Sequence, residues 1–502
     1  MGSKKRQAFL WSVVTFSLII AGICLRLYRL TSRSLWLDEA ASVKTAAMNS
    51  ISGMIQVVVN DLHPPLSYIL LRFWIFLFGS SDLSVRLSSV FWGGMGMLGI
   101  YFLCRAGLGW NQKTSNLATL FAVFIPIHAY YSQDVRHYVI WFAFACFALG
   151  FLFKAHSTMK LRYFLLFGLF QALLFYIHNG AILYCFIINI LYLLFLMLYG
   201  KANGLRLRGI LLSGFTSFIL YLPWLPTLIR QLRNPTLFKG FPYWVPRPTP
   251  GDFLITLRKI VGVWDLNLPH HVPGALYLIL LIPILVLLFG GLWFALKNQR
   301  VGESVLAAAL AAYPLFIYFL SHLVVPIWLM RVLVPAAIGV PVAAASGAKK
   351  SLLGKKFPAL LTVFIIFYVS VNLFASLNLL HTYQKQDWRG GAEFLSNSVQ
   401  KEDAVLVYRH FYSTPLERYL PPRIEIKEVE ITRESPGEDL SRKLAGKVVD
   451  LSGDAENTYL VFASSEVPLK KLLSVMDRTH ELKQKKSFYG FAILIFQASP
   501  RI

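Results

Sequence analysis

Acidic side chains are scarce over most of this chain. Of its 25 Asp and Glu residues, only eight precede residue 380: Asp38, Glu39, Asp61, Asp82, Asp134, Asp252, Asp265 and Glu303. Cysteine is scarcer still. Cys24, Cys104, Cys146 and Cys185 lie in or at the ends of apolar runs, and no CxxC pair occurs. That argues against a disulfide framework and a structural zinc site. No Gly-rich phosphate loop is found. No small-residue cleavage site follows the first apolar run, so Met-Gly-Ser-Lys-Lys-Arg is expected to lead into a retained helix rather than a removed signal peptide.

What is abundant is apolar surface. Hydrophobic residues make up 56% of the 502 residues, and the mean hydropathy is +0.56. A soluble core cannot hide that much. Apolar runs near bilayer length recur up to residue 379, and the segment beyond 380 is mixed in charge. The expected fold class is a polytopic α-helical membrane domain over residues 1–380 with a small extracytoplasmic α/β domain over residues 381–502. Eleven spans are predicted, at 8–27, 83–103, 117–131, 135–153, 163–177, 181–199, 210–229, 272–296, 305–320, 332–345 and 357–379.

The net charge of +24 is spread as short Lys and Arg clusters between these runs. Nucleic acid binding does not produce that pattern; the positive-inside rule does. With the N-terminus cytoplasmic, every inside loop is basic, and Glu303 is the one acid among them. The run 64–78, which holds Arg72, would reverse all later loops if it crossed. It is therefore expected to lie along the membrane surface, with Pro64-Pro65 in its first turn. The outer segments are then 28–82, 132–134, 178–180, 230–271, 322–331 and the tail. In the tail, strands are predicted at 404–408, 424–429, 458–463 and 491–496, and helices near 390–399, 414–420, 440–447 and 468–477.

Seven of the eight early acids fall outside. An acid beside a membrane span is costly unless paired or used. Asp38, with Glu39 beside it, could accept a proton from a hydroxyl, or could N-cap the next helix. In the turn Ser132-Gln133-Asp134-Val135-Arg136-His137-Tyr138, Arg136 could pair with Asp134 or hold a phosphate. His63 could be a polar loop residue, a phosphate ligand or a metal ligand. His178, His270, His271 and His322 are also outside, but no pair has metal-ligand spacing. No cofactor is expected, and a divalent metal has no support in the spacing. Arg86 and Arg331 each begin a span, where an interfacial anchor is the plain reading.

Taken in order, Leu35-Trp36-Leu37-Asp38-Glu39, His63-Pro64-Pro65-Leu66-Ser67-Tyr68, Phe78-Gly79 with Val85-Arg86-Leu87, the 132–138 turn and Asp387-Trp388-Arg389 resemble a known family. It is the dolichyl-phosphate-mannose protein mannosyltransferase-like family (family 39) of the GT-C fold. The bacterial lipid A aminoarabinose transferase looks like a relative. The likeness is good over the first 150 residues and thinner beyond, where only Arg331 is carried over. The resemblance implies catalytic roles for Asp38, Glu39 and Asp134, and donor-phosphate binding by Arg136, Arg331, His63 and His137. Tyr138, Trp36 and Arg86 are the expected substrate contacts. The aminoarabinose transferase has a Lys near the His63-Pro64 position. This sequence does not, so phosphate recognition there is expected to differ.

The implied activity is glycosyl transfer, hexosyl or pentosyl, from a polyprenyl-phosphate sugar to a hydroxyl of a protein, lipid or cell-envelope glycan. It is expected in the plasma membrane, at its outer face, by inverting displacement with Asp38 as general base. The partners are the lipid-linked donor, the bilayer and the acceptor, and no nucleic acid. The alternative is a transporter or flippase of lipid-linked sugars, which would more often show internal inverted repeats. A non-catalytic receptor would tolerate change at the acids.

Overall fold

The computed structural model describes residues 3–233, 245–262, 264, 275–350, 358–431, 439–463, 467–477 and 480–498. Asp265, His270 and His271 lie outside the described residues. The chain divides into two compact units, Met1–Leu30 with Ala46–Thr382, and Thr31–Thr45 with Tyr383–Ile502. The expected boundary moves by two residues, and Thr31–Thr45 joins the second unit. Hydrogen bonds are the reason. Ser34 Oγ donates to the Gln386 carbonyl at 2.7 Å and accepts from the Trp388 N–H at 3.1 Å, and the Leu35 N–H donates to Tyr419 Oη at 2.8 Å.

The first unit is helical. Among the described residues, eight helices are long and apolar enough to cross a bilayer, and Leu66–Phe78, Leu161–Ile177 and Leu281–Lys297 are shorter apolar helices. The helices used below are α1 (Ser3–Leu27), α2 (Leu37–Ala46), α3 (Ile51–Val59), α4 (Leu66–Phe78), α5 (Asp82–Phe102), α6 (Gln112–Phe124), α7 (Pro126–Tyr131), α8 (Tyr138–Thr158) and α9 (Leu161–Ile177). The span expected at 117–131 is broken into α6 and α7. Ile125 is extended ahead of Pro126, whose ring restricts the preceding residue and whose nitrogen cannot continue the α6 ladder. Helix α4 is a separate helix of 13 residues. Pro65 is its N-cap residue rather than part of its first turn. Its Phe73, Phe76 and Phe78 are exposed, which suits an apolar environment and not water.

Helix α8 is the hub, with Tyr138, Trp141, Phe142, Cys146, Leu149 and Leu152 all buried. It packs tightly on α5, whose Gly99 leaves no room for a side chain: a Cβ there would stand 2.7 Å from Cys146 Cβ. Small residues let helix backbones approach where van der Waals packing drives association. Glu303, expected in an inside loop, is buried and accepts the Trp110 indole N–H at 3.0 Å.

The second unit carries a five-stranded sheet in the order β2-β1-β3-β5-β4. The strands are β1 (Ala404–Tyr408), β2 (Ile426–Val429), β3 (Asn457–Phe462), β4 (His480–Phe488) and β5 (Phe491–Ala498). β1 runs parallel to β2 and β3, and β5 runs antiparallel to β3 and β4. Side chains alternate across the sheet. Val405 and Val407 join Trp388 and Leu395 on one face, while Leu406 and Tyr408 join Leu444, Val448 and Leu472 on the other. β1 is therefore apolar at every position. β4 was not expected. As an edge strand it needs only one paired side, and its lysines at 483, 485 and 486 hide the period.

Candidate functional site

The turn between α7 and α8 is fixed from three sides. Gln133 Nε2 donates to the Arg26 and Tyr28 carbonyls at 2.9 and 2.8 Å. Ser132 Oγ accepts from Arg26 Nε at 3.1 Å, and Ser89 Oγ donates to the Asp134 carbonyl at 2.7 Å. Asp134 is buried. Gly93 of α5 packs against this turn, where a Cβ would come within 2.5 Å of Ser132 Oγ. Five residues from the sequence reading gather at the end of α8. Arg331 lies over the Tyr138 ring, 6.0 Å from its centroid. Arg136 Nη2 is 3.3 Å from His63 Nε2. The His137 ring is 4.5 Å from His63 and 4.3 Å from Tyr138.

The loop between α3 and α4 presents His63 to this cluster. Asp61 accepts the Tyr68 hydroxyl at 2.9 Å and the Leu62 N–H at 2.7 Å, and lies 3.5 Å from His63 Nδ1. Burial opposes its ionisation, but His63, the Leu62 N–H and the Arg136 charge prevail, holding its carboxyl well below the usual range. Asn179 Nδ2 ties the same loop down through the Leu62 carbonyl at 2.8 Å. His178, between α9 and the following helix, completes the group. It stacks on Trp141 at 4.5 Å, and its ring is 4.6 Å from His137. Burial, then the charges of His63 and neighbouring basic groups, push His137 and His178 well below ordinary histidine values. Sequence reasoning placed His178 outside without giving it a role. The available signal was that 63, 137 and 178 all sit in outer turns.

Arg86 differs from its plain reading. It is buried and donates to the Leu30 carbonyl at 2.8 Å instead of snorkelling. Asp38, Glu39 and Trp36 belong to the second unit. Asp38 lies inside the first turn of α2, not at its N-cap; a carboxylate there is favoured by the helix dipole. Capping falls to Glu39, which accepts the Trp36 N–H at 3.2 Å. Glu39 is also buried against Lys385, at 2.9 Å, and the Lys385 ammonium is 5.9 Å from the Trp36 ring centroid.

Residues 62–226 match a family model described as dolichyl-phosphate-mannose-protein mannosyltransferase. That window holds every first-unit residue of the cluster except Asp61 and Arg331. Among solved structures, ArnT from Cupriavidus metallidurans in the apo state superposes with a TM-score of 0.64 at 13% identity, over 97% of this chain and 98% of that one. The same protein bound to undecaprenyl phosphate gives 0.60 at 12%, with the same coverage. The archaeal oligosaccharyltransferase AglB from Archaeoglobus fulgidus, in complex with an inhibitory peptide and a dolichol-phosphate, gives 0.57 at 12%, over 98% of this chain and 75% of that one. No curated protein sequence matches. At these identities the likeness carries the fold. The structure is that of a polytopic helical membrane protein with the GT-C fold, as the sequence resemblance implied.

Proposed function

We propose that this protein transfers a sugar from a polyprenyl-phosphate carrier to an acceptor hydroxyl at the outer membrane face. The observation that carries the reading is the convergence of Arg136 and Arg331 on Tyr138 and the histidines at the head of α8. Guanidinium groups match phosphate oxygens in charge and geometry. Two solved neighbours hold a lipid phosphate, undecaprenyl phosphate in ArnT and dolichol-phosphate in AglB, which supports the same donor class here.

In this reading the acceptor oxygen attacks the anomeric carbon as the bond to the carrier phosphate breaks, with inversion. Asp38 takes the hydroxyl proton. Glu39, held by Lys385, positions the first turn of α2. Arg136 and Arg331 offset the charge that grows on the departing phosphate. His63 and His137 assist Arg136 at the phosphate, Asp134 supports the turn that carries Arg136, and Trp36, Tyr138 and Arg86 are the proposed substrate contacts. The N-terminus is cytoplasmic and the α/β domain extracytoplasmic.

The test is to incubate purified protein with a panel of polyprenyl-phosphate sugars and acceptors and to measure free carrier phosphate. Release is expected with one donor, falling about a hundredfold or more in Asp38→Asn. Release from no donor, or an unaltered rate in Asp38→Asn, defeats the proposal as written.

A further inference from the structure

Three imidazoles from three separate segments meet in the first unit. His63 precedes α4, His137 precedes α8 and His178 follows α9. One ring nitrogen of each lies within 4.8 Å of the other two. Their spacing in sequence matches no local metal motif, so only the folded chain reveals the group. His137 Nε2 and the neighbouring Asn179 Oδ1 are buried without a hydrogen-bond partner, while His63 turns Nδ1 toward Asp61 and leaves Nε2 for the group. Such orphans are costly unless something fills the site. A neutral imidazole offers one lone pair, so a cation shared by the three rings satisfies the orphaned His137 nitrogen.

The geometry points to a divalent metal site formed by His63, His137 and His178, with Asp61 backing His63 and a fourth position open. Imidazole ligands suit Zn²⁺ and its first-row neighbours, and three protein ligands with an open position is the pattern of reactive zinc sites. Asp61 Oδ2, 3.5 Å from His63 Nδ1, stands where carboxylates commonly orient a ligating histidine. Zinc–nitrogen bonds of about 2.0–2.1 Å place tetrahedral ligand nitrogens roughly 3.4 Å apart, so the rings close in by no more than about 1.4 Å.

Two contacts change on binding. Arg136 Nη2, 3.3 Å from His63 Nε2, moves off that nitrogen. His178 Nδ1 accepts the Gly180 N–H at 2.8 Å, which puts its proton on Nε2. Ligation through Nε2 shifts that proton to Nδ1 and gives up the bond to Gly180. Arg136 and Arg331 oppose a bare cation, and an anion in the fourth position relieves this. That the anion is the donor phosphate rests on the proposed function; the metal site itself does not.

The experiment is a titration of chelator-stripped, full-length protein in detergent with Co²⁺, followed by displacement with Zn²⁺. One equivalent is expected to bind, with the intense visible bands of low-coordinate cobalt. Asp61→Asn, which keeps all three imidazoles, weakens binding about ten- to hundredfold, and His137→Ala weakens it further. His137→Cys adds a sulfur-to-cobalt charge-transfer band absent from the wild type, a signal that mere loss of fold cannot produce. Absence of one-equivalent binding in the wild type, or wild-type affinity in both His137→Ala and His178→Ala, overturns the site. Sugar transfer is not the readout, so the metal site and the proposed reaction fail separately.

Discussion

Glu39→Gln separates the two neighbouring acids after the first helix. In the wild type Glu39 is wholly buried and Lys385 is only 6% exposed, with Nζ and Oε2 2.9 Å apart. The amide keeps an acceptor for the Trp36 N–H, so the cap survives. What is lost is the negative charge, and the Lys385 ammonium is left buried. Breaking one side of a buried pair costs about 3–5 kcal/mol. For a folding unit of this size that corresponds to a fall of roughly 10–15 °C in its melting temperature. Replacing both partners, as in Glu39→Leu with Lys385→Met, is expected to restore most of the loss, because no unpaired charge remains. Thermal unfolding of the purified variants, followed by near-ultraviolet circular dichroism with its signal from Trp388 and its neighbours, measures both. A Glu39→Gln melting temperature within about 2 °C of wild type would refute the reasoning.

Three further outcomes follow. Asp38→Asn is expected to melt like the wild type while carrier-phosphate release collapses; a matching drop in melting temperature would make Asp38 a structural residue instead. Arg136→Gln and Arg331→Gln should each slow release by about a hundredfold, and equal loss of acceptor binding without loss of rate would move them to the acceptor. Gly93→Ala drives a methyl group against Ser132 and should cost about 1–3 kcal/mol with partial loss of activity, checked by detergent-solubilised thermal stability beside the transfer assay.

The membrane helices are legible because their apolar runs are long. The break at Pro126 was present in the sequence, but hydropathy averages over it. In the tail, Ala-Val-Leu-Val-Tyr announced β1, since a strand buried on both faces is apolar throughout. His-Glu-Leu-Lys-Gln-Lys-Lys-Ser-Phe did not announce β4, because most of that strand is in water. At the candidate site, residue type and order singled out Arg136, His63, His137 and Arg331. They could not divide labour between Asp38 and Glu39, which are adjacent and chemically alike. That division depends on Lys385, some 346 positions away. Nor could spacing bring His178 to His137, since the meeting is made by the antiparallel packing of α8 and α9.

The lysines of β4 have a consequence for life in a bilayer. Confinement to two dimensions crowds copies of one protein far more than solution does, and a bare strand margin invites a neighbour to extend the sheet. Ammonium groups at 483, 485 and 486 repel their counterparts on a second copy. Charge along that margin weighs against one molecule zippering onto the next.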